Sequence, residues 1–436
     1  MSAPRPQALP RALPQDVRLP PPAPLARRVW KHPRLMHYNR LAVLVVAINL
    51  VLLAALEARD AVDAHALGRL ALADFALAVV IRQQYVINLL FRIAVAAPLH
   101  WPLRIRWALG KVYHFGGLHL GGALAGTVLF LAQTAALTAE RAPAVVLAVS
   151  YLLVALLTVV VVMAMPPVRA RHHDLFERTH RFGGWAALSL FWAQLLLSLR
   201  AEGRSPVADP GVWVLAVVTF SVVLPWLRLR RVPIRIERPS PHVAIAHFDH
   251  GETPFAGSST AVSRSPLTEW HSFANVPAPG RRGFRLTVSR AGDWTGAFID
   301  DLPSHVWVKG ITTAGVAHIE TLFHRVVYVA TGSGIGPCLP HLLAADVPSR
   351  LVWATRSPRT TYGDALVDEI LAVQPDAVVW DTSENGKPDM VRLAYAAYRD
   401  FGAEAVICIS NKRLTWQVVH GLERLGIPAY GAIWDS

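Results

Sequence analysis

Six apolar segments of membrane-spanning length lie before residue 230, and the pattern then changes. The segments cover residues 41–58, 70–97, 113–137, 144–165, 175–199 and 211–228. About 20 consecutive apolar residues are what an α-helix needs to cross a bilayer. The pattern therefore predicts a six-helix membrane domain over residues 39–231. A Pro-rich basic arm, residues 1–38, precedes this domain and is expected to be disordered.

The remaining 200 or so residues follow two other patterns. From 232 to 322, short alternating stretches broken by Pro, Gly and Ser, such as GFRLTVSRAGDW, predict a small antiparallel β-barrel. From 323 to 436, buried strands alternate with helical patterns, which predicts a parallel, doubly wound α/β sheet. The predicted fold class is a six-span α-helical membrane domain joined to an antiparallel β-barrel and an α/β nucleotide-binding domain.

Charge and cysteine content narrow the class of protein. The net charge is +13, but Lys and Arg cluster beside the apolar segments instead of forming a basic stripe, which argues against nucleic acid as a partner. The protein is expected in the cell (inner) membrane. By the positive-inside rule, both termini and the C-terminal domains lie on the cytoplasmic side. The two cysteines, Cys338 and Cys408, exclude a disulfide framework and a Cys-based zinc or iron–sulfur site.

A glycine-rich turn is the first candidate for chemistry. The stretch VYVATGSGIGPCLPHLL places Gly332, Gly334 and Gly336 between a buried strand and a helix. Backbone N–H groups at such a turn can approach a pyrophosphate, although the spacing is not that of the G-x-G-x-x-G fingerprint. Tight-turn packing without a ligand is the alternative interpretation.

Other motifs accompany this turn in a recognisable order. They are EWHSFANVP, SRAGDWTGAF, VKGITTAG, the glycine turn, WATRS, NGKPDM and VICIS. This series resembles the ferredoxin-reductase-type flavin and nicotinamide module of ferric reductases and NADPH oxidases. The resemblance implies FAD and NADPH or NADH as cofactors. The positions it implies for binding them are His271, Ser272, Phe273, Thr295, Gly332, Gly334, Gly336, Pro337 and Arg356.

Three further residues carry expectations from the resemblance. Arg356 would suit the 2′-phosphate of NADPH, or be a solvated surface arginine. Cys408 would lie by the nicotinamide as a catalytic thiol, or be a small buried hydrophobe. Trp434 would stack on the flavin, or be a core tryptophan. The sequence departs from the family at Ala274, where a hydroxyl expected near the flavin is missing, and at Ile409, which follows Cys408.

Two histidines at the ends of apolar segments are candidate metal ligands. An imidazole in a membrane helix is costly without a partner, although His114 and His180 could also hydrogen-bond water at an interface. The family resemblance implies that they share one haem b on the cytoplasmic side. Val128 and Ala193 stand where the resemblance would place ligands of a second, outer haem. His119, five residues after His114, would lie roughly 140° away around a regular helix and is expected to point elsewhere.

Arg82 interrupts the second apolar segment. A charge there is costly, so an acidic partner such as a haem propionate is expected. An ion pair with Asp74 is the alternative. The glycine pairs 116–117 and 183–184 could admit a flat macrocycle or let helices pack closely.

Taken together, the patterns predict a membrane-bound NAD(P)H-dependent flavin oxidoreductase of ferric reductase type. It would pass electrons from NAD(P)H through FAD to one inner haem b, or directly to a small-molecule or quinone acceptor. The stretches RQQYVINLLF and KVYHFGG are also similar to those of TmpA-like integral membrane proteins, a divergent branch of this group. The alternative is a non-enzymatic membrane sensor or regulatory protein on a degenerate reductase scaffold.

Overall fold

The apolar segments fold into helices. The computed structural model describes residues 17–277, 280 and 282–431, and in this part of the chain the elements before residue 228 are helical. They are α1 (Leu25–Trp30), α2 (His37–Glu57), α3 (Ala64–Val80), α4 (Gln84–Val95), α5 (Leu103–Leu109), α6 (Gly116–Ala139), α7 (Ala144–Ala164), α8 (Pro166–Arg171), α9 (His173–Ala201) and α10 (Pro210–Leu227). The predicted helical segments are therefore confirmed, with one change at residues 70–97.

That change is a sharp bend. Among the described residues, five helices are long and apolar enough to cross a membrane, and α3 and α4 make a sixth only if they count as one broken span. The two helices meet at 75° across a short break that contains Arg82. The second predicted span is thus two helices, and its membrane crossing, like that of the whole bundle, stays a prediction.

One compact unit, called here the helical unit, contains residues 37–86 and 114–227. Glycines let its helices approach closely: a Cβ at Gly117 would lie 2.1 Å from the backbone oxygen of Tyr38, and one at Gly122 would lie 2.6 Å from that of Asp74. Large apolar side chains such as Val51 and Phe220 are exposed on the outside of the bundle. An apolar exterior with small residues at the helix contacts is typical of membrane bundles.

The predicted antiparallel barrel is present after residue 228. Its strands are β1 (Arg230–Ser240), β2 (Val243–Phe248), β3 (Ser258–Ser263), β4 (His271–Ala274), β5 (Val276–Pro277), β6 (Phe284–Ser289), β7 (His305–Val308) and β8 (Thr313–Ala314), with helix α11 (Asp293–Asp301) after β6. The strand order is β4-β3-β7-β1-β2-β6-β5, and β8 also pairs with β3. Because β4 and β5 at the two ends of this order are joined only by Asn275, one bent strand closes the barrel.

Asn275 stabilises this bend. Its backbone N–H donates to the Ser258 carbonyl at 2.9 Å, and its Nδ2 donates to the Ser258 hydroxyl at 2.9 Å. The side chain is fully buried. The barrel interior is filled by apolar side chains from every wall, among them Ala246, Val262, Leu286 and Val306.

The parallel sheet that follows is also as predicted. Its strands are β9 (Val326–Thr331), β10 (Ser349–Thr355), β11 (Val378–Asp381), β12 (Ala405–Ile409) and β13 (Ala429–Tyr430), and its helices are α12 (Ile335–Ala344), α13 (Pro358–Tyr362), α14 (Asp364–Val373), α15 (Thr382–Asn385), α16 (Met390–Phe401) and α17 (Lys412–Glu423). The order is β11-β10-β9-β12-β13, with parallel pairing between neighbours. The first strand of this sheet, β9, thus lies in the middle, and the later strands are added on both sides of it.

The second compact unit, called here the C-terminal module, is not one continuous stretch. It combines the barrel and the parallel sheet with the segment 87–113 and with the described residues 17–36. The prediction assigned 87–113 to the membrane domain. Arg106 of this segment is 4% exposed and donates to both carboxylate oxygens of Glu404, at 2.7 and 3.1 Å, and to the Leu322 carbonyl at 2.7 Å.

A second buried cation from the same segment pairs near the end of the chain. Lys111 lies 2.7 Å from Glu423 and donates to the Ala429 carbonyl at 2.7 Å. Lys31 reaches the same carboxylate at 3.5 Å and sits 3.8 Å from the ring centre of Trp107. Lys31, next to α1, is thus held by a carboxylate and an aromatic face, and the disorder of the arm stays a prediction. Residues 1–16 lie outside the described part of the chain.

We expect the Arg106 pair to be a large contribution to the stability of the module. Arg106→Met removes the charge, retains much of the apolar stem and leaves Glu404 with only the His324 N–H, at 2.9 Å. Removing one partner of a buried ion pair typically costs about 3 kcal/mol or more. Thermal unfolding of the purified full chain should show the loss. Arg235→Met, at an exposed pair with Glu237, is the matched control and should leave the transition in place.

The Lys111–Glu423 pair makes stability depend on pH in a defined direction. Burial alone would raise the pKa of Glu423, but Lys111 and Lys31 outweigh it and hold that pKa below its usual value of 4.5. The stabilisation is present above that value and is lost as the pH falls through the lower, folded-state pKa. Burial alone would lower the pKa of Lys111, but Glu423 raises it above 10.5, so stability falls again at strongly alkaline pH.

Glu423→Gln should therefore destabilise the module at pH 7 but progressively less below pH 4.5. Unfolding temperatures of the wild type and of the variant between pH 7 and pH 3.5 measure the difference. A gap between them that does not change over this range would contradict the assignment.

Candidate functional site

The glycine turn lies at the point where the parallel sheet reverses its winding. Strands β9 and β12 are neighbours, and the chain leaves their carboxyl ends in opposite directions. Thr331 at the end of β9 is hydrogen-bonded to Ser410 at the end of β12. Ligands of open α/β sheets bind in the crevice at such a switch point. The predicted nucleotide-binding residues are therefore in the position where this architecture binds ligands.

The three glycines of the turn differ in backbone conformation and in what surrounds them. Gly332 adopts a left-handed φ of +48°. A Cβ at Gly334 would lie 2.0 Å from the Ile409 carbonyl oxygen, so only glycine allows the turn to pack against β12. At Gly336 the nearest atoms, in Thr287, would be 3.7 Å away, which is ordinary contact. Packing explains Gly332 and Gly334 but does not require glycine at Gly336, where the nucleotide contact stays a prediction.

Arg356 is exposed in the loop that follows β10. A neighbouring residue that the sequence did not single out holds this loop. Asp381, at the end of β11, accepts hydrogen bonds from the backbone N–H groups of Ser357, at 3.0 Å, and of Ser383, at 2.8 Å. Burial alone would raise the pKa of Asp381, but the Ser383 hydroxyl and these N–H groups lower it, so the carboxylate stays charged. Asp381 thus fixes the loop on which Arg356 faces solvent.

Cys408 lies in the hydrophobic core and not at the surface of the crevice. It is 1% exposed on β12 and packs in a cluster with Val329, Val406 and Val418. Burial raises the pKa of its thiol to about 12, so it remains protonated and weakly nucleophilic. Pro337 is the third residue of α12, next to the crevice. The placement of Cys408 matches the alternative of a small buried hydrophobe, and its catalytic role stays a prediction.

The predicted flavin strand β4 carries its residues on two faces. His271 and Phe273 point to the same side, and Ser272 between them is exposed. The His271 ring stacks on Trp294 with centroids 4.1 Å apart, and Phe273 lies 6.0 Å from the same tryptophan. The indole Nε1 donates to Glu269 at 2.6 Å. Trp294 and Glu269 were not among the predicted binding residues, although both belong to motifs that carry the resemblance. The fold brings Trp294 of α11 against β4, whereas Glu269 precedes β4 by two residues.

Thr295 sits in the first turn of α11. Its hydroxyl accepts from the backbone N–H groups of Ala291, at 2.8 Å, and Gly292, at 3.1 Å. The predicted phosphate contact therefore has a local structural role, which is to cap the helix. No atom would come within 4 Å of a Cβ at Gly292, so space remains open beside the helix N-terminus. This open helix end fits an anionic group, although the carboxylate of Glu269 stands nearby.

The motif NGKPDM and the predicted residue Trp434 complete the positions considered for this site. Asp389, in the turn NGKPDM, accepts hydrogen bonds from Val391 and Arg392 and so caps α16. Trp434 lies outside the described residues.

A buried polar network lies beneath α12. Glu320 accepts from the hydroxyl of Tyr328 at 2.6 Å and is hydrogen-bonded to Nδ1 of His341. Glu320 and His341 are 3% and 1% exposed. Burial raises the pKa of Tyr328 well above its usual value, so the phenol stays a donor. The network fixes the helix that follows the glycine turn, and the sequence offered no periodic signal for it.

In the helical unit, the ring of His180 lies close to a histidine other than the predicted His114. The rings of His119 and His180 have centroids 6.0 Å apart, whereas His114 stacks on His37 at 6.0 Å. The Nδ1 atom of His119 is 2.8 Å from the Ala78 carbonyl. His119 thus contacts another helix, α3, and its ring also approaches that of His180, which the helical angle counted from His114 does not predict. The reason is local: Val112–Phe115 form a 3-10 turn, so His114 is not on α6 and helical angles cannot be counted from it.

His119 and His180 are the residues that would hold a haem here, since their rings approach to 6.0 Å and imidazole is a haem ligand. A ligand histidine also commonly donates its second N–H to a carbonyl, as His119 can to Ala78. Among the residues that the structure describes, no group of three or more His, Cys, Asp or Glu could hold a metal ion. The pair His119 and His180 is therefore a candidate for the two ligands of one haem, and the pair His114 and His180 stays a prediction.

Arg82 lies in the break between α3 and α4 and is exposed there, so it does not sit inside an apolar helix. Its guanidinium is 5.9 Å from the ring centre of Phe115, and its charge acts on both His119 and His180. Asp74, the alternative partner, accepts instead from Asn49 at 3.1 Å. The predicted anionic partner of Arg82 stays a prediction.

The glycines of the helical unit mostly serve packing. A Cβ at Gly116 would lie 3.1 Å from the Tyr38 ring, and one at Gly183 would lie 2.9 Å from Val160. Gly184 alone of the predicted pairs has no atom within 4 Å. The idea that both pairs make room for a macrocycle is therefore not supported at Gly116, Gly117 and Gly183.

Comparison with known proteins places these features beside a group of fungal enzymes. The family model described as the C-terminal domain of adenylate-forming reductase 03009 matches residues 316–436. Adenylate-forming reductase 06235 of Coprinopsis cinerea is 43% identical over 411 residues, which are 92% of this chain and 40% of that protein. Adenylate-forming reductase 03009 of the same fungus is 42% identical over 421 residues, 94% of this chain and 41% of that protein.

Among solved structures, a ferredoxin NADP+ reductase from Neisseria gonorrhoeae with bound FAD and NADP is 12% identical. It covers 47% of this chain and 98% of its own, with a TM-score of 0.37. The chain is thus similar to proteins named adenylate-forming reductases over nearly its whole length, while it spans about two fifths of the length of those curated relatives.

Proposed function

We propose that the C-terminal module binds NAD(P)H and FAD and passes electrons from the nicotinamide to an acceptor. The observation that carries this proposal is the glycine turn at the switch point between β9 and β12, in one module with a barrel closed by the bent strand 271–277. The names of the relatives, which are reductases, support it. A bound flavin would accept hydride and release single electrons.

The residues of the chain would bind and orient these cofactors. The first N–H groups of α12 would receive the pyrophosphate of the nucleotide, and Arg356 would meet its adenosine end. Phe273 would lie against the flavin, and the open N-terminus of α11 would take its phosphates. Ala274 provides no hydroxyl, so tuning of the flavin by a side-chain O–H is not part of the proposal.

We further propose that the chain is membrane-bound, with both termini cytoplasmic, and that His119 and His180 hold one haem b. Support comes from the five long apolar helices and from the 6.0 Å separation of the two rings. Such a group supplies one-electron chemistry. The acceptor would be a small molecule or a quinone.

A membrane sensor without enzymatic activity is the second candidate. The carboxylate of Glu269 beside His271 and the buried position of Cys408 favour it, since neither helps flavin chemistry. Oxidation of NAD(P)H with an artificial acceptor separates the two: activity of the purified chain would exclude the sensor.

Gly336→Ala tests the nucleotide site. The nearest atoms would be 3.7 Å from the new methyl group, so the fold should be unaffected, whereas a bound pyrophosphate would meet it. We expect unchanged thermal unfolding and at least a tenfold weaker affinity for NADPH and NADH by calorimetric titration. Gly184→Ala, a glycine with open space around it in the helical unit, should change neither. Unaltered nucleotide affinity in Gly336→Ala would refute this site.

The histidine pair is tested by optical spectra. If a purified, haem-supplemented chain shows a Soret band, His119→Ala should lose most of it, because one of the two proposed ligands is removed. His114→Ala should keep it, since that ring lies against His37. The opposite result would restore the pair that the sequence predicted, and no band in the wild type would remove haem from the proposal.

A further inference from the structure

A cavity of about 300 Å³ opens at the end of the helical unit that lies away from the histidine pair. It is formed where α3 and α10 begin and where α6 and α9 end. Its inner wall includes Phe130, Gln133, Phe191, Gln194, Leu195 and Ser198. Gln133 follows His119 by fourteen residues on α6, which corresponds to roughly 21 Å of helix rise. The cavity is therefore separate from every site described above.

Two carboxamides face this cavity from the interior of apolar helices. Gln194 is 5% exposed, and the hydrogen bond from its Nε2 to the Ser198 hydroxyl is long, at 3.4 Å. The amide of Gln133 lies against α3, where a Cβ at Gly68 would come within 2.5 Å of its Nε2. Polar groups in apolar surroundings are costly unless they are hydrogen-bonded. The pair of glutamines is thus placed to bind a ligand that offers both hydrogen-bond acceptors and donors.

The charged groups at the rim are paired with one another, cap a helix or are exposed to solvent, and Asp63 caps α3 by accepting from the Ala66 N–H at 2.7 Å. Arg204 donates to Glu202 at 3.1 Å and to Asp209 at 2.7 Å, and His65 lies 3.4 Å from Glu202. Arg69 is exposed at the mouth. With these charges paired or in solvent, the inner wall presents amides, a hydroxyl and apolar side chains. This wall favours a neutral ligand over an ionic one.

The apolar part of the wall determines the shape of the ligand. The rings of Phe130 and Phe191 meet edge to face with centroids 5.2 Å apart, and Leu195 is also part of this wall. Aromatic walls of this kind pack well against a planar ring. A carboxamide can donate to a carbonyl oxygen and accept from a hydroxyl. Both redox forms of a quinone ring would therefore find partners at Gln133 and Gln194.

We propose that this cavity binds a single benzoquinone or hydroquinone ring between Gln133 and Gln194. This binding does not rest on the proposed electron transfer, because it needs neither nucleotide nor flavin. The site is distinct from the nicotinamide and flavin positions of the C-terminal module.

Equilibrium dialysis of duroquinone against the full chain in nanodiscs tests the proposal, with empty nanodiscs as the blank for partition into lipid. We expect saturable binding that weakens at least tenfold in Gln133→Met and in Gln194→Met, near-isosteric changes that remove both hydrogen-bonding functions. Gly68→Ala should also weaken it, because the methyl group displaces the amide of Gln133 without removing it. Thr158→Val, at an exposed position on α7, is the control and should bind as the wild type does.

The following results would overturn the proposal or the assignment of the ligand. Binding that is no greater than in empty nanodiscs, or equal in the wild type and in both methionine variants, would overturn the proposal. Stronger binding of benzoate than of duroquinone would overturn the assignment of a neutral ligand. Since no NAD(P)H is present, failure of the nucleotide-dependent reaction would leave these results unchanged, and the two proposals can fail independently.

Discussion

The C-terminal module depends on two buried cations that the chain supplies from far upstream. Arg106 and Lys111 are nearly inaccessible to water, and each is paired with a carboxylate more than 290 residues later, Glu404 and Glu423. A buried charge without a partner costs several kcal/mol, so the segment that carries these cations and the sheet that carries the carboxylates stabilise each other. The module is therefore discontinuous in sequence, although its barrel and sheet are continuous.

The segment that carries the two buried cations also fixes the position of strand β13. Lys111 also donates to the Ala429 carbonyl on β13, and the hydroxyl of Tyr430 donates to the Trp107 carbonyl at 3.0 Å. A Cβ at Gly110 would lie 2.8 Å from the Tyr430 ring, so segment and final strand are in close contact. The last strand of the parallel sheet, only two residues long, is thus held from outside the sheet. Its neighbour β12 forms one wall of the crevice where the glycine turn lies.

Residue patterns predicted the helices and strands better than they predicted which side chains contact one another. Helix and strand positions followed from periodicity, because burial of one face is a local property. The histidine pair did not follow, because the 3-10 turn at Val112–Phe115 removes His114 from α6. A helical wheel that starts at His114, before α6 begins, therefore predicts the wrong direction for His119. Cys408 likewise could be assigned to a strand end, but its direction into the core depends on the side of the sheet that α16 and α17 cover.

The sequence by itself determined the six apolar segments, the barrel, the parallel sheet and the glycine turn, because each is encoded by spacing within about 20 residues. Tertiary structure decided which distant groups meet. It closed the barrel at Asn275, brought Trp294 to His271 and His119 to His180, and placed Gln133 and Gln194 around one cavity. These contacts depend on how helices and strands pack, and packing is set by the sum of many weak interactions that no single motif records.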